Sequence, residues 1–209
     1  KDQLMVNTGT IPQKEGDPQN PYFNIWGTTD MSGTPEVILW RQYSKELGVV
    51  NNVEVGVQHG DFGVGLTRSM VEGYVMKDGK PIYNSAYTYS DQTIADVATN
   101  RDPRLTIFLK VPGQKNVFKN MSAPEDHYVI DEPYPTITTR NAENDYSTGY
   151  AIRKGGTFDK ANTGNGNCYN AAEIFRATEA LLNYMEAEYM LTNSLSGKVL
   201  EYWKDVRKA

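Results

Sequence analysis

The sequence predicts a mostly α-helical protein with an irregular α+β part: a helical hairpin over residues 170–209 follows a loop-rich region with short strands over residues 1–169. Apolar residues recur at helical spacing over a long stretch only near the end of the chain. Upstream, glycine, proline, asparagine and aspartate break the apolar runs into short pieces. The length of 209 residues allows one domain or one and a part, with a substantial buried core.

The composition narrows the functional classes. The net charge is -5 and the lysines and arginines form no cluster, which argues against a nucleic-acid partner. No run of about 18 apolar residues is present that could span a membrane. Cys168 has no metal-ligand spacing around it, so we expect a buried or bystander thiol and no cofactor. The 14 tyrosines and 3 tryptophans outnumber the 6 phenylalanines, and such amphipathic rings suit wet binding surfaces.

The first third of the chain is expected to alternate between loop and strand. Residues 1–35 read as loop, within which Trp26 either plugs the core or offers its face to a ligand. The apolar run of residues 36–43 predicts a strand buried on both faces. Residues 51–65 are punctuated by glycine and predict a flexible loop, a kind of segment that often carries binding function. Three candidate ligand residues lie together at the tip of this loop: His59, Asp61 and Phe62.

A short helix and a tyrosine-rich segment come next. Thr67 is placed to cap a helix that runs to Tyr74, and Asp78-Gly79 is a strong turn signal. After the turn, two interpretations remain open for the rings of the next segment, which form either a packed sheet face or a stacking platform. These rings belong to Tyr83, Tyr87 and Tyr89.

The middle of the chain predicts a helix over residues 90–98, a corner at residues 100–104 and a strand over residues 105–111. The two arginines that flank Asp102 at the corner are expected to form a structural network that joins the strand to neighbouring carboxylates. Residues 112–148 again read as loop, and their acidic pairs are adjacent residues in polar sequence. Glycoside hydrolysis instead needs two carboxyl groups held across a scissile bond.

The C-terminal hairpin is the clearest element. Its first helix is predicted from Asn170 to Leu191, with Asn170 as N-cap and Glu173 completing a capping box. A second helix, capped by Ser194 or Ser196, carries an apolar stripe through Val199, Leu200, Trp203 and Val206. Helical repeats usually need roughly three or more stacked pairs for stability. We therefore expect partner helices on a segment that precedes this chain.

Four segments stand in a recognisable order over residues 36–187. They are Glu36-Val-Ile-Leu39, Met70-Val-Glu-Gly-Tyr74 with Lys77-Asp-Gly-Lys80, Asn100-Arg-Asp-Pro-Arg104-Leu105, and Ile174-Phe-Arg176-Ala-Thr-Glu179-Ala-Leu-Leu-Asn183-Tyr-Met-Glu186-Ala187. Together they resemble the SusD/RagB family of outer-membrane nutrient-binding lipoproteins of the Bacteroidetes. The sequence departs from the family pattern in having Arg176-Ala-Thr-Glu179 where Arg-Tyr-Ala-Glu is usual, and the family's lipidated N-terminal cysteine and earlier helical repeats are not in it.

The resemblance implies a tetratricopeptide-like helical half packed against an irregular half. It also implies a lipid-anchored protein at the cell surface that captures oligosaccharide, or in some members peptide, and passes it to a SusC-like TonB-dependent transporter. The shared motifs look like scaffold, so no ligand residue is carried over by motif.

The leading hypothesis is a non-catalytic glycan-binding protein in which aromatic faces stack on sugar rings and polar groups bond the hydroxyls. Three alternatives stay open: a peptide-binding member of the same family, a glycoside hydrolase with a carboxylate pair in a cleft, and an adaptor that contacts only the transporter. The candidate ligand residues are Trp26, His59, Asp61, Phe62, Tyr83, Tyr87 and Tyr89.

Overall fold

The computed structural model describes residues 3–10, 12, 16–59, 64–114, 148–157, 159, 162 and 164–209. Within them the chain forms seven α-helices and one two-stranded antiparallel sheet. In chain order these are α1 (Pro21–Asn24), β1 (Val37–Arg41), α2 (Val53–His59), α3 (Arg68–Gly73), α4 (Ile94–Ala98), α5 (Pro103–Phe108), β2 (Ala172–Arg176), α6 (Ala177–Thr192) and α7 (Gly197–Lys208). None of the described helices is both long enough and apolar enough to cross a membrane.

Helix α5 lies at the centre of the loop-rich region. Leu105 packs in a cluster with α3 and α4, while Ile107 and Phe108 pack with Phe23 of α1. The prediction of a strand over residues 105–111 is wrong. A short helix that is buried on opposite sides shows apolar residues at every second position as well, so alternation does not identify a strand here. The start signal was present, since Asp102 accepts a hydrogen bond from the Arg104 N–H at 3.0 Å and proline follows it.

The other short helices follow their caps. Thr67 caps α3 as predicted, accepting a bond from the Met70 N–H at 3.2 Å. Helix α4 starts later than residue 90 because Thr93 is the side chain that caps it. Residues 53–59 form α2 and not the predicted flexible loop. The buried residues Glu54, Val55 and Val57 explain the difference, since tertiary packing overrides the glycine signal.

The sheet joins residues far apart in the sequence. Strand β1 lies where it was predicted and pairs with β2, Trp40 facing Glu173 and Arg41 facing Ala172. Its predicted burial on both faces is wrong, because Ile38 and Leu39 are exposed in this two-stranded sheet. The predicted helix start at Asn170 is also wrong. Long-range pairing with β1 makes residues 172–176 a strand, and the helix begins at Ala177.

Helices α6 and α7 form the predicted hairpin, with Asn193 in the left-handed conformation at the end of α6 and Ser196 at the N-cap position of α7. Tyr184 and Tyr202 pack edge to face, with ring centroids 5.5 Å apart. Only one side chain in each helix is fully buried, Met185 in α6 and Val199 in α7. The large exposed apolar side chains are Leu182, Tyr184, Tyr189, Met190, Leu191, Leu200 and Trp203.

Glu36 fixes the hairpin to the rest of the protein. Its carboxylate accepts bonds from the Arg176 guanidinium at 2.8 Å and from the Thr178 hydroxyl at 2.5 Å. Its backbone carbonyl accepts a bond from the Ala177 N–H at 2.8 Å. Because Glu36 is almost fully buried, this ion pair is screened little by water and sets where α6 starts.

Candidate functional site

Among the described residues of the loop-rich region, the most exposed aromatic side chains lie on residues 82–89, which we call the tyrosine surface. It forms an open depression of about 510 Å³. Tyr83 is 81% exposed and Tyr87 is 38% exposed, so both rings are accessible to solvent. The segment contains no strand, so the tyrosines do not form a packed sheet face, and the stacking platform stays a prediction.

Asp78 shapes the backbone beneath the tyrosine surface. Its carboxylate accepts bonds from the Ser85 hydroxyl and from the Ala86 N–H, each at 3.0 Å, and from the Lys80 N–H at 3.2 Å. The bond from the Ala86 N–H is the largest cause of a lowered pKa for this carboxyl group. The loop that presents Tyr83 and Tyr87 is therefore held by bonds from Asp78, so the backbone beneath the two rings has a defined arrangement.

Tyr89 lies at the inner end of the tyrosine surface. Its ring is half-buried, and the guanidinium carbon of Arg101 lies 5.2 Å from the ring centroid. Burial raises the pKa of this phenol. Tyr89 thus anchors the segment to the core, while Tyr83 and Tyr87 provide the accessible faces.

Trp26 occupies a different place, next to the core cluster of α1 and α5. Phe108 contacts its ring edge-on at 6.1 Å between centroids. The Lys154 ammonium lies 3.5 Å from the centroid and the Arg176 guanidinium carbon 5.0 Å from it. Of the two roles considered for Trp26, its contacts favour packing over ligand stacking.

The three remaining candidates, His59, Asp61 and Phe62, come from the end of α2 and the residues that follow it in the sequence. His59 is the last residue of α2, and its side chain lies outside the described residues. Asp61 and Phe62 also lie outside them. All three stay predictions.

A second concave site, which the sequence did not indicate, is the cleft between α1, α3, α5 and α7. It has a volume of about 410 Å³. Tyr22 and Tyr74 line it together with three charged side chains: Asp102, Arg104 and Arg207. We call it the tyrosine–arginine cleft. Arg207 follows Asp102 by more than a hundred residues, so no local motif could have brought these groups together.

The charges in the tyrosine–arginine cleft are not balanced. Arg104 bonds Asp102 through Nε at 3.0 and 3.2 Å and through Nη2 at 2.6 Å. Arg207 Nη1 lies 3.9 Å from Asp102 Oδ2. Burial raises the pKa of Asp102, but the bonds from Arg104 lower it by more than burial raises it. The pKa of Asp102 is therefore below its usual value. One carboxylate therefore faces two guanidinium groups.

Arg104 binds the Asp102 carboxylate, as predicted for the corner, but a helix stands where the predicted network was to join a strand. The guanidinium of Arg101 binds backbone carbonyls and not carboxylates. This buried guanidinium donates to the carbonyls of Val71 at 2.6 Å, Tyr74 at 2.8 Å and Val97 at 3.3 Å. Arg101 thus connects α3 with α4 and supports the corner from which Asp102 and Arg104 project.

The surroundings of Cys168 bear on the expectation of a buried or bystander thiol. Cys168 is fully buried, and burial raises the pKa of its thiol, so it is a structural residue. Within the described part of the chain, no three His, Cys, Asp or Glu side chains are grouped as a metal site would require.

Comparison with known proteins identifies relatives of the chain. The sequence profile of the SusD family matches residues 35–208. The solved structures that resemble it include the selenomethionine form of BT4246, with a TM-score of 0.61 and 15% identity over 99% of this chain and 42% of that one. A SusD-like protein (BF3747) from Bacteroides fragilis NCTC 9343 resembles it with a TM-score of 0.55 and 21% identity, over 95% of this chain and 40% of that one. No curated protein matches significantly.

The chain thus spans about two fifths of the length of these two solved structures. At such identities the likeness concerns the fold, and it agrees with seven described helices around a small two-stranded sheet.

Proposed function

The chain belongs to the SusD family, and on this basis we propose that it is the nutrient-binding part of a cell-surface protein that captures a glycan without cleaving it. The observation that carries the proposal is the tyrosine surface. Tyr83 and Tyr87 offer exposed rings on a loop whose backbone Asp78 holds in place.

The chemistry of the tyrosine surface suits a sugar. The faces of a phenol ring attract the C–H groups of a pyranose, and its hydroxyl bonds to ring hydroxyls. Asn84, which lies between the tyrosines, adds an amide with both donor and acceptor atoms. Each contact contributes on the order of 1 kcal/mol, so we expect weak binding per sugar and a gain from several subsites.

Tyr83 and Tyr87 are accordingly the proposed ligand residues, with Tyr89 as their support. His59, Asp61 and Phe62 remain proposed contacts from the other loop. Trp26 is proposed only as a secondary contact, because Lys154 and Phe108 already pack against its ring.

The hairpin has a separate proposed role as a tetratricopeptide-type unit. Residues 1–169 would be the ligand-binding region, and residues 170–209 would pack against N-terminal helical repeats of the same protein. Two observations support this division. The groove between α6 and α7 measures about 490 Å³ and is lined mainly by apolar side chains, including Leu182, Leu200 and Trp203. The solved relatives are also more than twice as long as this chain.

The remaining parts of the proposal follow from the family. A lipid anchor would hold the full-length protein at the outer membrane, and a SusC-like TonB-dependent transporter would receive the glycan from it. No residue of this chain is assigned to the transporter contact.

The test is affinity electrophoresis of the full-length protein in gels that contain one polysaccharide each, followed by an assay of the sugars for new reducing ends. Slower migration in at least one gel, without reducing ends, is the expected result. New reducing ends would replace the proposal by a glycoside hydrolase. Unchanged migration in every gel would remove glycan binding and leave a peptide ligand or an adaptor.

A further inference from the structure

The tyrosine–arginine cleft carries a positive charge on an acidic protein. The described side chains that line it include two guanidinium groups and one carboxylate, an excess of one positive charge. The whole chain has a net charge of -5. At physiological salt the Debye length is about 8 Å, so the remote acidic residues are screened while the charges inside the cleft act on a ligand there.

Arg207 is the source of the excess charge. Arg104 satisfies the Asp102 carboxylate with three contacts of 3.2 Å or less. Arg207 is 3.9 Å from the same carboxylate, which is too far for a hydrogen bond, and its side chain is 38% exposed. Among the described residues, the Arg207 guanidinium donates no hydrogen bond to a side chain, so its N–H groups are available to an anion.

The cleft also offers surfaces for a sugar ring. Tyr74 and part of Tyr22 line the same cavity as Arg207, with the exposed Met70 at its rim. The Tyr22 ring also packs against Phe108, with ring centroids 5.4 Å apart, so Tyr22 offers the cavity only the part of its ring that faces away from Phe108. Burial raises the pKa of Tyr74 to about 12, so its phenol stays protonated and neutral. A volume of about 410 Å³ lies within the range of small-ligand sites. Aromatic rings next to a planar, always charged guanidinium suit a ring that bears an oxyanion.

We propose that the tyrosine–arginine cleft binds the carboxylate or sulfate group of an acidic glycan, with Arg207 as the residue that selects for the negative charge. This inference rests on the proposed function, because it names the class of glycan that the protein captures. Carboxylate and sulfate both match the guanidinium fork, and the ligand panel separates them.

The test uses the full-length protein and polymers that share a sugar but differ in charge. Galactan is neutral, polygalacturonate carries carboxylates, and κ-carrageenan carries sulfates; dextran and dextran sulfate form a second pair. Affinity electrophoresis should show retention by at least one acidic polymer and clearly weaker retention by its neutral counterpart. Raising the salt concentration should weaken that retention.

Three variants assign the effect to Arg207. Arg207→Gln should weaken binding of the retained acidic polymer about tenfold, since it removes the charge and the fork together. Arg207→Lys keeps the charge without the fork, so its affinity for the acidic polymer should lie between those of the unmodified protein and Arg207→Gln. Lys204→Gln is the matched control, because it removes a positive charge from an exposed position of α7 that does not line the cleft. Thermal melting of each variant checks that the fold is intact.

The outcomes separate this inference from the proposed function. Retention by neutral polymers alone overturns the inference and leaves glycan binding standing. Retention by an acidic polymer that Arg207→Gln does not weaken, or that Lys204→Gln weakens equally, overturns it as well. Migration that no polymer changes removes both proposals.

Discussion

The loop-rich region and the hairpin differ in what they bury. In the loop-rich region, Arg101 is only 6% exposed and its guanidinium bonds three backbone carbonyls. In α6 and α7 of the hairpin, only Met185 and Val199 are buried. The loop-rich region contains further buried polar groups of the same kind. Lys110 donates to the carbonyl of Val57 at 2.7 Å, and Asn20 donates to that of Thr10 at 2.9 Å. In the hairpin, apolar side chains such as Leu191 are exposed.

The difference follows from backbone chemistry. Short helices and loops leave many carbonyls without a partner, and a buried carbonyl without a hydrogen bond is costly. Individual side chains must therefore fill those places in the loop-rich region. The long helices of the hairpin satisfy their own backbone, so they need only an apolar partner for their exposed face. The stability of the loop-rich region therefore depends on particular buried polar side chains. The stability of the hairpin depends on an apolar surface that packs against its exposed face.

The largest predicted effect is that of replacing Arg101. Arg101→Met should destabilise the protein by about 3–5 kcal/mol, because it removes a buried donor from three backbone carbonyls, of which that of Val71 keeps a bond from the Tyr74 N–H. Arg68→Met is the control, since Arg68 is 65% exposed and makes only surface ion pairs with Glu72 and Asp91. Its cost should be about 0–1 kcal/mol. Urea denaturation measures both, and equal costs would contradict the role given to buried polar groups.

A glycine contact predicts the next effect. A Cβ on Gly27 would collide with the carbonyl oxygen of Gly156, which belongs to the backbone and cannot rotate away. Gly27→Ala should therefore cost about 1–3 kcal/mol. Gly33 has open space around its Cβ position, so Gly33→Ala should be nearly neutral or slightly stabilising. If thermal melting shows the same change for the two variants, the backbone contact is not a determinant of stability.

Lys110 predicts a dependence of stability on pH. Burial, helped by repulsion from Arg153, lowers the pKa of its ammonium to about 7. Between pH 7 and the ordinary lysine value near 10.5 the unfolded chain binds more protons, so stability should rise with pH. We expect a gain on the order of 1 kcal/mol from pH 7 to pH 9. Tyr74 does not interfere in this range, because its raised pKa costs stability only above about pH 10. The raised pKa of the Cys168 thiol opposes the rise only at its upper end, since the thiol of the unfolded chain ionises at about pH 8.5.

Replacing Lys110 with methionine should flatten this rise in urea denaturation experiments at several pH values. Lys77→Met, at an exposed position, should leave it unchanged. Stability that is flat or falls from pH 7 to pH 9 in the unmodified protein would show that Lys110 is not held in the way described.

The sequence indicated local features better than long-range ones. Thr67 and Ser196 stand at the N-cap positions of α3 and α7, as the sequence indicates, and the Thr67 side chain bonds the Met70 N–H while Ser196 makes no side-chain capping bond. The strand at residues 172–176 was missed, because its partner β1 lies more than 130 residues earlier and pairing overrides a helical pattern.

The candidate site shows the same division. The cluster of Tyr83, Tyr87 and Tyr89 was visible in the sequence because the three residues are neighbours. The tyrosine–arginine cleft was not visible, because Tyr22, Asp102 and Arg207 meet only in the folded chain. The prediction of a strand at α5 is wrong because apolar residues of this helix pack into two separate core clusters. Its apolar residues therefore alternate along the sequence as they would in a strand.

The central claim is that the tyrosine surface binds the glycan while the apolar groove between α6 and α7 serves the fold. It is tested most directly by two variants of the full-length protein, Tyr83→Ala with Tyr87→Ala in one and Trp203→Ala in the other, compared by affinity electrophoresis and thermal melting. The account predicts that the double tyrosine variant loses at least tenfold in glycan affinity, about 1.4 kcal/mol, with an unchanged melting temperature. It predicts that Trp203→Ala lowers the melting temperature and leaves the affinity of the folded protein unchanged. Glycan affinity that is lost with Trp203 and kept without Tyr83 and Tyr87 would contradict it.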